Sequence, residues 1–291
     1  MPQHLSNTVW AYAICGCLHG PIITSISSES LHLNSEFIAQ ELANTAWAFA
    51  RLQVRDVPLL DAISAQAIRK IADFETQELS NTALAYSTLE VLDLPLIQAI
   101  SASSLKTITQ FAEQELANTA WSLARLEVQH APLLAAISAQ ALARICEVGV
   151  QGLSNTAWAL SKLMFRDGPL IAAISAAAIR QNFEFVPQGL TNLAWAVASW
   201  GDLDFPLMDA IASASIRKLS HFNAQDCFMI AWSWSVMSLL DAHLTPYGVQ
   251  NHYEALRLSG RRFPQVSEGA VGVDWIEFAN GVWTVWRHAR E

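Results

Sequence analysis

Hydrophobic and polar positions along this chain recur as a block. A glutamine returns at Gln3, Gln40, Gln77, Gln114, Gln151, Gln188 and Gln225, always 37 residues apart. Four residues later stand Asn7, Asn44, Asn81, Asn118, Asn155 and Asn192. Three further on come Trp10, Trp47, Leu84, Trp121, Trp158, Trp195 and Trp232. Pro21, Pro58, Pro95, Pro132, Pro169 and Pro206 mark the second half of each block. A fixed period of this length is the mark of a solenoid.

Each block predicts two helices. The first is typified by Glu41–Val54, whose Leu42, Ala46, Trp47, Phe49, Ala50 and Leu52 follow helical spacing. The second is typified by Pro58–Ile71, with proline where the first N–H groups need no partner. Asp56, Asp93, Asp167 and Asp204 precede the prolines by two residues, where a carboxylate caps those groups. A link such as Ala72–Thr76 leads to the next glutamine. One helix pair cannot bury its apolar face alone, so neighbours must stack. The fold expected is all-α, an α-solenoid of two-helix repeats wound as a right- or left-handed superhelix. Its units span 3–39, 40–76, 77–113, 114–150, 151–187 and 188–224, with a worn copy at 225–245. Residues 246–291 form an irregular segment, closed by Ala279–Arg287, which repeats the pattern of Ala43–Arg51. Small residues such as Ala120, Ser122 and Ala124 let helices approach, and the recurring Trp is expected to fill the larger gaps of the core. Base stacking is its other possible use.

Composition narrows the function. Apolar residues make up 52% and charged residues 15%, so disorder is not expected. The apolar stretches Leu5–Leu18, Phe185–Gly201 and Cys227–Leu240 fall short of the roughly 20 residues of a bilayer span. No Lys or Arg precedes the first, which argues against a signal peptide. Net charge is −9, against indiscriminate nucleic-acid binding. Cys15, Cys17, Cys146 and Cys227 lack metal-ligand spacing and read as reduced core thiols of an intracellular protein. No metal, cofactor or small-molecule substrate is expected, and no serine–histidine, paired-carboxylate or phosphate-loop constellation points to an enzyme. Neither end carries an obvious polar cap, so the chain reads as a piece of a longer array or as a gene model cut at both ends.

Projected at about 100° per residue, the first helix carries a polar stripe. In the second unit it holds Glu41, Asn44, Ala48, Arg51 and Arg55. Its equivalents are Asn81 with Thr88 and Leu92, Asn118 with Arg125, Asn155 with Lys162 and Arg166, and Asn192 with Ser199 and Leu203. A steady Asn beside a changing partner suits a one-base-per-repeat reader. It equally suits an Asn ladder bonding neighbouring backbone, with solvated cations beside it. A second stripe lies late on the second helix, at Arg69, Lys70, Lys106, Arg144, Arg180, Arg217 and Lys218. It could follow phosphates or complement helix C-termini.

The word at Gln40–Leu52, followed by the PLL-x-A-I-S helix, resembles the octotricopeptide repeat family. It is also similar to the helical region of FAST-kinase-like, RAP-domain proteins. The resemblance runs from residue 3 to about 245, and Gly260–Glu291 shows no RAP domain. It implies binding of single-stranded RNA in mitochondria or chloroplasts, acting on transcript stability, processing or translation. A scaffold or effector for protein partners without RNA is the alternative.

Overall fold

The computed structural model describes residues 2–201 and 204–242, with side chains as far as residue 237. Leu203, the side chain of Asp241 in the capping place of the worn copy, and everything expected of 246–291 lie outside the described residues. Those described form thirteen α-helices and no strand. Seven A helices are α1 (Pro2–Ile14), α3 (Ala39–Arg51), α5 (Thr76–Thr88), α7 (Glu113–Arg125), α9 (Val150–Lys162), α11 (Pro187–Trp200) and α13 (Ala224–Ala242). Six B helices alternate with them: α2 (Gly20–Leu33), α4 (Val57–Arg69), α6 (Leu94–Thr107), α8 (Ala131–Ala143), α10 (Gly168–Arg180) and α12 (Phe205–Arg217). The solenoid expected from the period is therefore present.

The two layers pack unequally. Successive A helices lie against one another along their length, whereas successive B helices touch far less. Small side chains allow this approach: Ala43, Thr45, Ala46 and Ala50 are buried on α3, as are Ala117, Thr119, Ala120 and Ala124 on α7. A stack tight on one side and splayed on the other curves towards the tight side, so the A layer lines its inner face.

The ends of the helices are built by local rules. Asp56, Asp93, Asp167 and Asp204 each accept a hydrogen bond from the amide three residues on, at 3.0–3.2 Å. The capping read from sequence is thus realised, and His19 and His130 do the same work with Nδ1. Three of these carboxylates also reach back one unit. Ser27 donates to Asp56, Ser138 to Asp167 and Ser175 to Asp204. Where the cap is His130, the equivalent Ser101 hydroxyl is buried with no partner, because Nδ1 is already taken by the Leu133 amide.

A helices stop earlier than the apolar pattern suggests, at Arg51 rather than Val54. Gln53, Glu90, Glu127 and Met164 turn the chain with φ of 54–57°, and Gly16 and Gly201 stand in the same places with φ of 62° and 67°. The next amide then reaches back to close the helix, as Val54 N–H does to Phe49 O at 2.9 Å.

The core is not filled as expected. Phe37, Phe74, Phe111 and Phe185, which end the links, are buried, with Val148 in the equivalent place. Trp47, Trp121, Trp158, Trp195 and Trp232 are only half-buried, and Trp10 is exposed. The residue that ends the link, phenylalanine in all but one of these units, is therefore the buried anchor, and tryptophan is not. Tyr86 takes the place of Phe49 and donates to Leu60 O from full burial, which pushes its phenol pKa well above the ordinary value. The cysteines are free, but all four are exposed rather than in the core, because they lie at helix ends, in links or on an open helix face.

Candidate RNA-binding groove

The open stripe of each A helix runs through positions 4, 3 and 4 apart: Gln40, Asn44, Trp47 and Arg51 in the second unit. At about 100° per residue these four fall within roughly 60° of one another. That narrow arc is all the close packing of the A layer leaves uncovered. Two members of the expected stripe drop out. Ala48 is wholly buried in the seam with the next helix. The Glu41 carboxylate accepts the Ile38 amide at 2.9 Å and closes the start of α3. Arg55 leaves the stripe too, because the chain has turned at Gln53 before reaching it. Arg166 follows the same turn and donates to Trp200 O at 3.4 Å.

The indoles form a ladder. Ring centroids are 4.2 Å apart for Trp121–Trp158, 6.1 Å for Trp158–Trp195 and 6.3 Å for Trp195–Trp232, with interplanar angles of 26–39°. Arg51 lies 5.9 Å from the Trp47 ring and Lys162 lies 5.6 Å from that of Trp158, within reach of cation–π attraction. Leu84 interrupts the ladder in the third unit.

Beside the indoles run the amides. Asn44, Asn81, Asn118 and Asn155 are half-buried and Asn192 is buried. Among the described residues none of their side chains has a hydrogen-bonding partner. The ladder of asparagines bonded to neighbouring backbone is thus not formed. A half-enclosed amide with free donors and acceptor favours a ligand that supplies both. Thr88 and Ser199 sit in the Arg51 position of their units.

The cations divide into engaged and free. Arg125 pairs with Glu90 at 2.9 Å and also donates to Ser87 O; Lys162 pairs with Glu127 at 3.4 Å. Each acid is the left-handed residue ending the preceding A helix. Where that residue is neutral, at Gln53 and Met164, the following unit carries Thr88 and Ser199. These exposed pairs join units and are weak enough to exchange with a stronger anion.

The second-helix stripe separates in the same way. Lys70 donates to the carbonyls of Ser35 and Phe37, Arg144 to Thr109 and Phe111, and Lys218 to Phe183 and Phe185. That column fastens α4, α8 and α12 to the link before each. Arg69, Lys106, Arg180 and Arg217 are exposed in the adjacent column, where Arg69 donates to Ala65 O of its own helix and Arg217 lies over the Phe183 ring.

Comparison with known proteins is decided by residues 2–168, which match the family model of the RNA-editing substrate-binding complex 6 protein, RESC6. The chain belongs to the RESC6 family. The match covers more than half of the chain and supports an RNA-associated helical-repeat family, without singling out the octotricopeptide one. No curated protein matches the chain. Among the described residues no helix is long and apolar enough to cross a membrane, and no His, Cys, Asp and Glu cluster has the geometry to hold a metal ion.

The repeat spacing itself carries the signal for the groove. Gln, Asn, Trp and the variable residue share one helical face by spacing alone, which places Trp with the amides and not opposite them.

Proposed function

We propose that this chain binds single-stranded RNA along the inner A-layer groove, as a non-enzymatic component of an organellar RNA-editing assembly. The observation that carries this reading is the indole ladder Trp121–Trp158–Trp195–Trp232 with its row of unbonded amides. Indoles offer stacking surfaces to unpaired bases. Asparagine offers a donor and an acceptor together, the pair a base edge requires. Membership of the RESC6 family supports RNA as the ligand, and organellar action rests on the octotricopeptide resemblance.

The groove supplies little charge. Arg51 is available, while Arg125 and Lys162 must first leave Glu90 and Glu127. Affinity therefore comes from stacking and amides more than from phosphates, and the salt dependence is shallow, near one log unit per phosphate contact.

A titration of fluorescent oligonucleotides at low salt tests this. Replacing Trp158 and Trp195 together by Ala is expected to weaken binding at least tenfold, since each stacked base contributes about 1–3 kcal/mol. Replacing Asn118 and Asn155 by Ala is expected to flatten preference among bases. An intact chain with no RNA affinity, or one indifferent to both indoles, defeats the proposal. The protein-scaffold reading, which draws on the net charge of −9, then takes its place.

A further inference from the structure

The outer edge of the fifth and sixth units differs from the rest of the array. Phe183 is 71% exposed and Ile216 is 68% exposed, and Ile179, Val186 and Leu219 are exposed beside them. Phe183 and the end of α12 lie together. Lys218 seats the end of α12 on the link below through its bonds to Phe183 O and Phe185 O, and the Arg217 guanidinium lies 4.5 Å from the Phe183 ring.

The repeat itself does not require this surface. At the position of Phe183 the other units carry Ser35, Ala72, Thr109, Cys146 and Ser220. At that of Val186 they carry Ile38, Glu75, Ala112, Gly149 and Asn223. Residues equivalent to Ile179 and Ile216 in the middle units, namely Ile68, Leu105 and Leu142, are half-buried. Phe183 stands where other units carry small or polar residues, as Val186 does for all but one of them, and an exposed apolar cluster of this kind marks an interaction surface.

Charge indicates the partner. Arg180, Arg217 and Lys218 border the cluster against a single carboxylate in these segments, Glu184. On a chain of net charge −9 this is a local reversal of sign. Nucleic acid could stack on Phe183 and reach the arginines, but it would leave four aliphatic side chains without cover. A helix with leucines on one face and carboxylates along its margins covers both parts.

We infer that this edge docks an acidic amphipathic helix of a partner protein, on a surface separate from the indole groove. Two substitutions borrow residues the array already tolerates in these places: Phe183→Ser, as at Ser35 and Ser220, and Val186→Glu, as at Glu75. The experiment uses the full chain and three labelled probes: a synthetic helix with Leu on one face and Glu on the other, its Lys-for-Glu counterpart, and oligouridine. The acidic helix is expected to bind. Its affinity should fall about tenfold or more in the double variant, as for central apolar anchors, and remain unchanged in Trp158→Ala. Circular dichroism of the variant should match the parent. Four outcomes overturn the inference: no binding of the acidic helix, equal binding of the basic one, displacement of the helix by oligouridine, or a self-association in sedimentation that the double variant abolishes. The last would make a second copy of the chain the occupant.

Discussion

The A and B helices alternate along one chain, yet their layers are held together by different means. Neighbouring A helices meet through Ala and Thr at close range, leaving an arc that displays Gln, Asn and Trp. B helices stand apart and are joined by polar ties instead, Ser27 to Asp56 and Arg144 to Thr109 and Phe111 among them. Tight packing on the inner side therefore limits what a ligand meets to three or four columns of side chains. Looser packing on the outer side sets the spacing of the units through cations and carboxylates. The same residue type can belong to either system, and position within the period decides which.

The largest expected effect separates the two aromatic columns. Phe111→Ala should cost about 3–5 kcal/mol in urea unfolding, as for a large buried side chain. Trp121→Ala, half-buried, should cost less than half of that. Equal losses would return the tryptophans to the core and remove the open groove.

The two basic columns come next. Arg144→Ala strands two carbonyls and should destabilise by about 1–2 kcal/mol, in the range of hydrogen bonds to charged groups. Lys106→Ala, on the exposed column, should leave the unfolding midpoint within about 0.5 kcal/mol of the parent. If the two variants behave alike, the division of that stripe fails.

His130→Asp tests the outer ties. Aspartate would keep the cap on Leu133 and give the buried Ser101 hydroxyl the acceptor its equivalents have. A gain of about 1 kcal/mol is expected, and Ser101→Ala in the same background should cancel the part due to the hydroxyl. The smallest effect is at the A-helix ends. Met164→Gly, at φ 54°, relieves a left-handed side chain and should stabilise by up to about 1 kcal/mol on thermal unfolding. A loss there would show that Met164 packs rather than merely turns the chain.

Much of this architecture was legible because it is local. The 37-residue period, the proline and the aspartate two residues before it all act within a few residues of themselves. The exposure of Trp47 does not follow from hydrophobicity, which does not say which side of a helix an aromatic faces, although its spacing from Gln40 and Asn44 does. The burial of Phe111 is not legible in the helical pattern because Phe111 ends a link, outside that pattern. Lys70 and Arg69 are neighbours in sequence, and only the position of the preceding link shows that one reaches its carbonyls while the other faces water. The pairing of Arg125 with Glu90 was within reach, since acid and base change together 35 residues apart.

The bonds between units share one measure. Ser27 and Asp56 are 29 residues apart, Lys70 and Phe37 are 33, and Arg125 and Ser87 are 38. None of these ties skips a neighbour, so the chain has low contact order for its length and never has to search for a distant partner. Each helix pair can close on the one before it as the polypeptide emerges from the ribosome. For the same reason a lesion at one joint lets that joint breathe without melting the whole, and a hydrogen-exchange map should show opening that spreads unit by unit from the weakest seam.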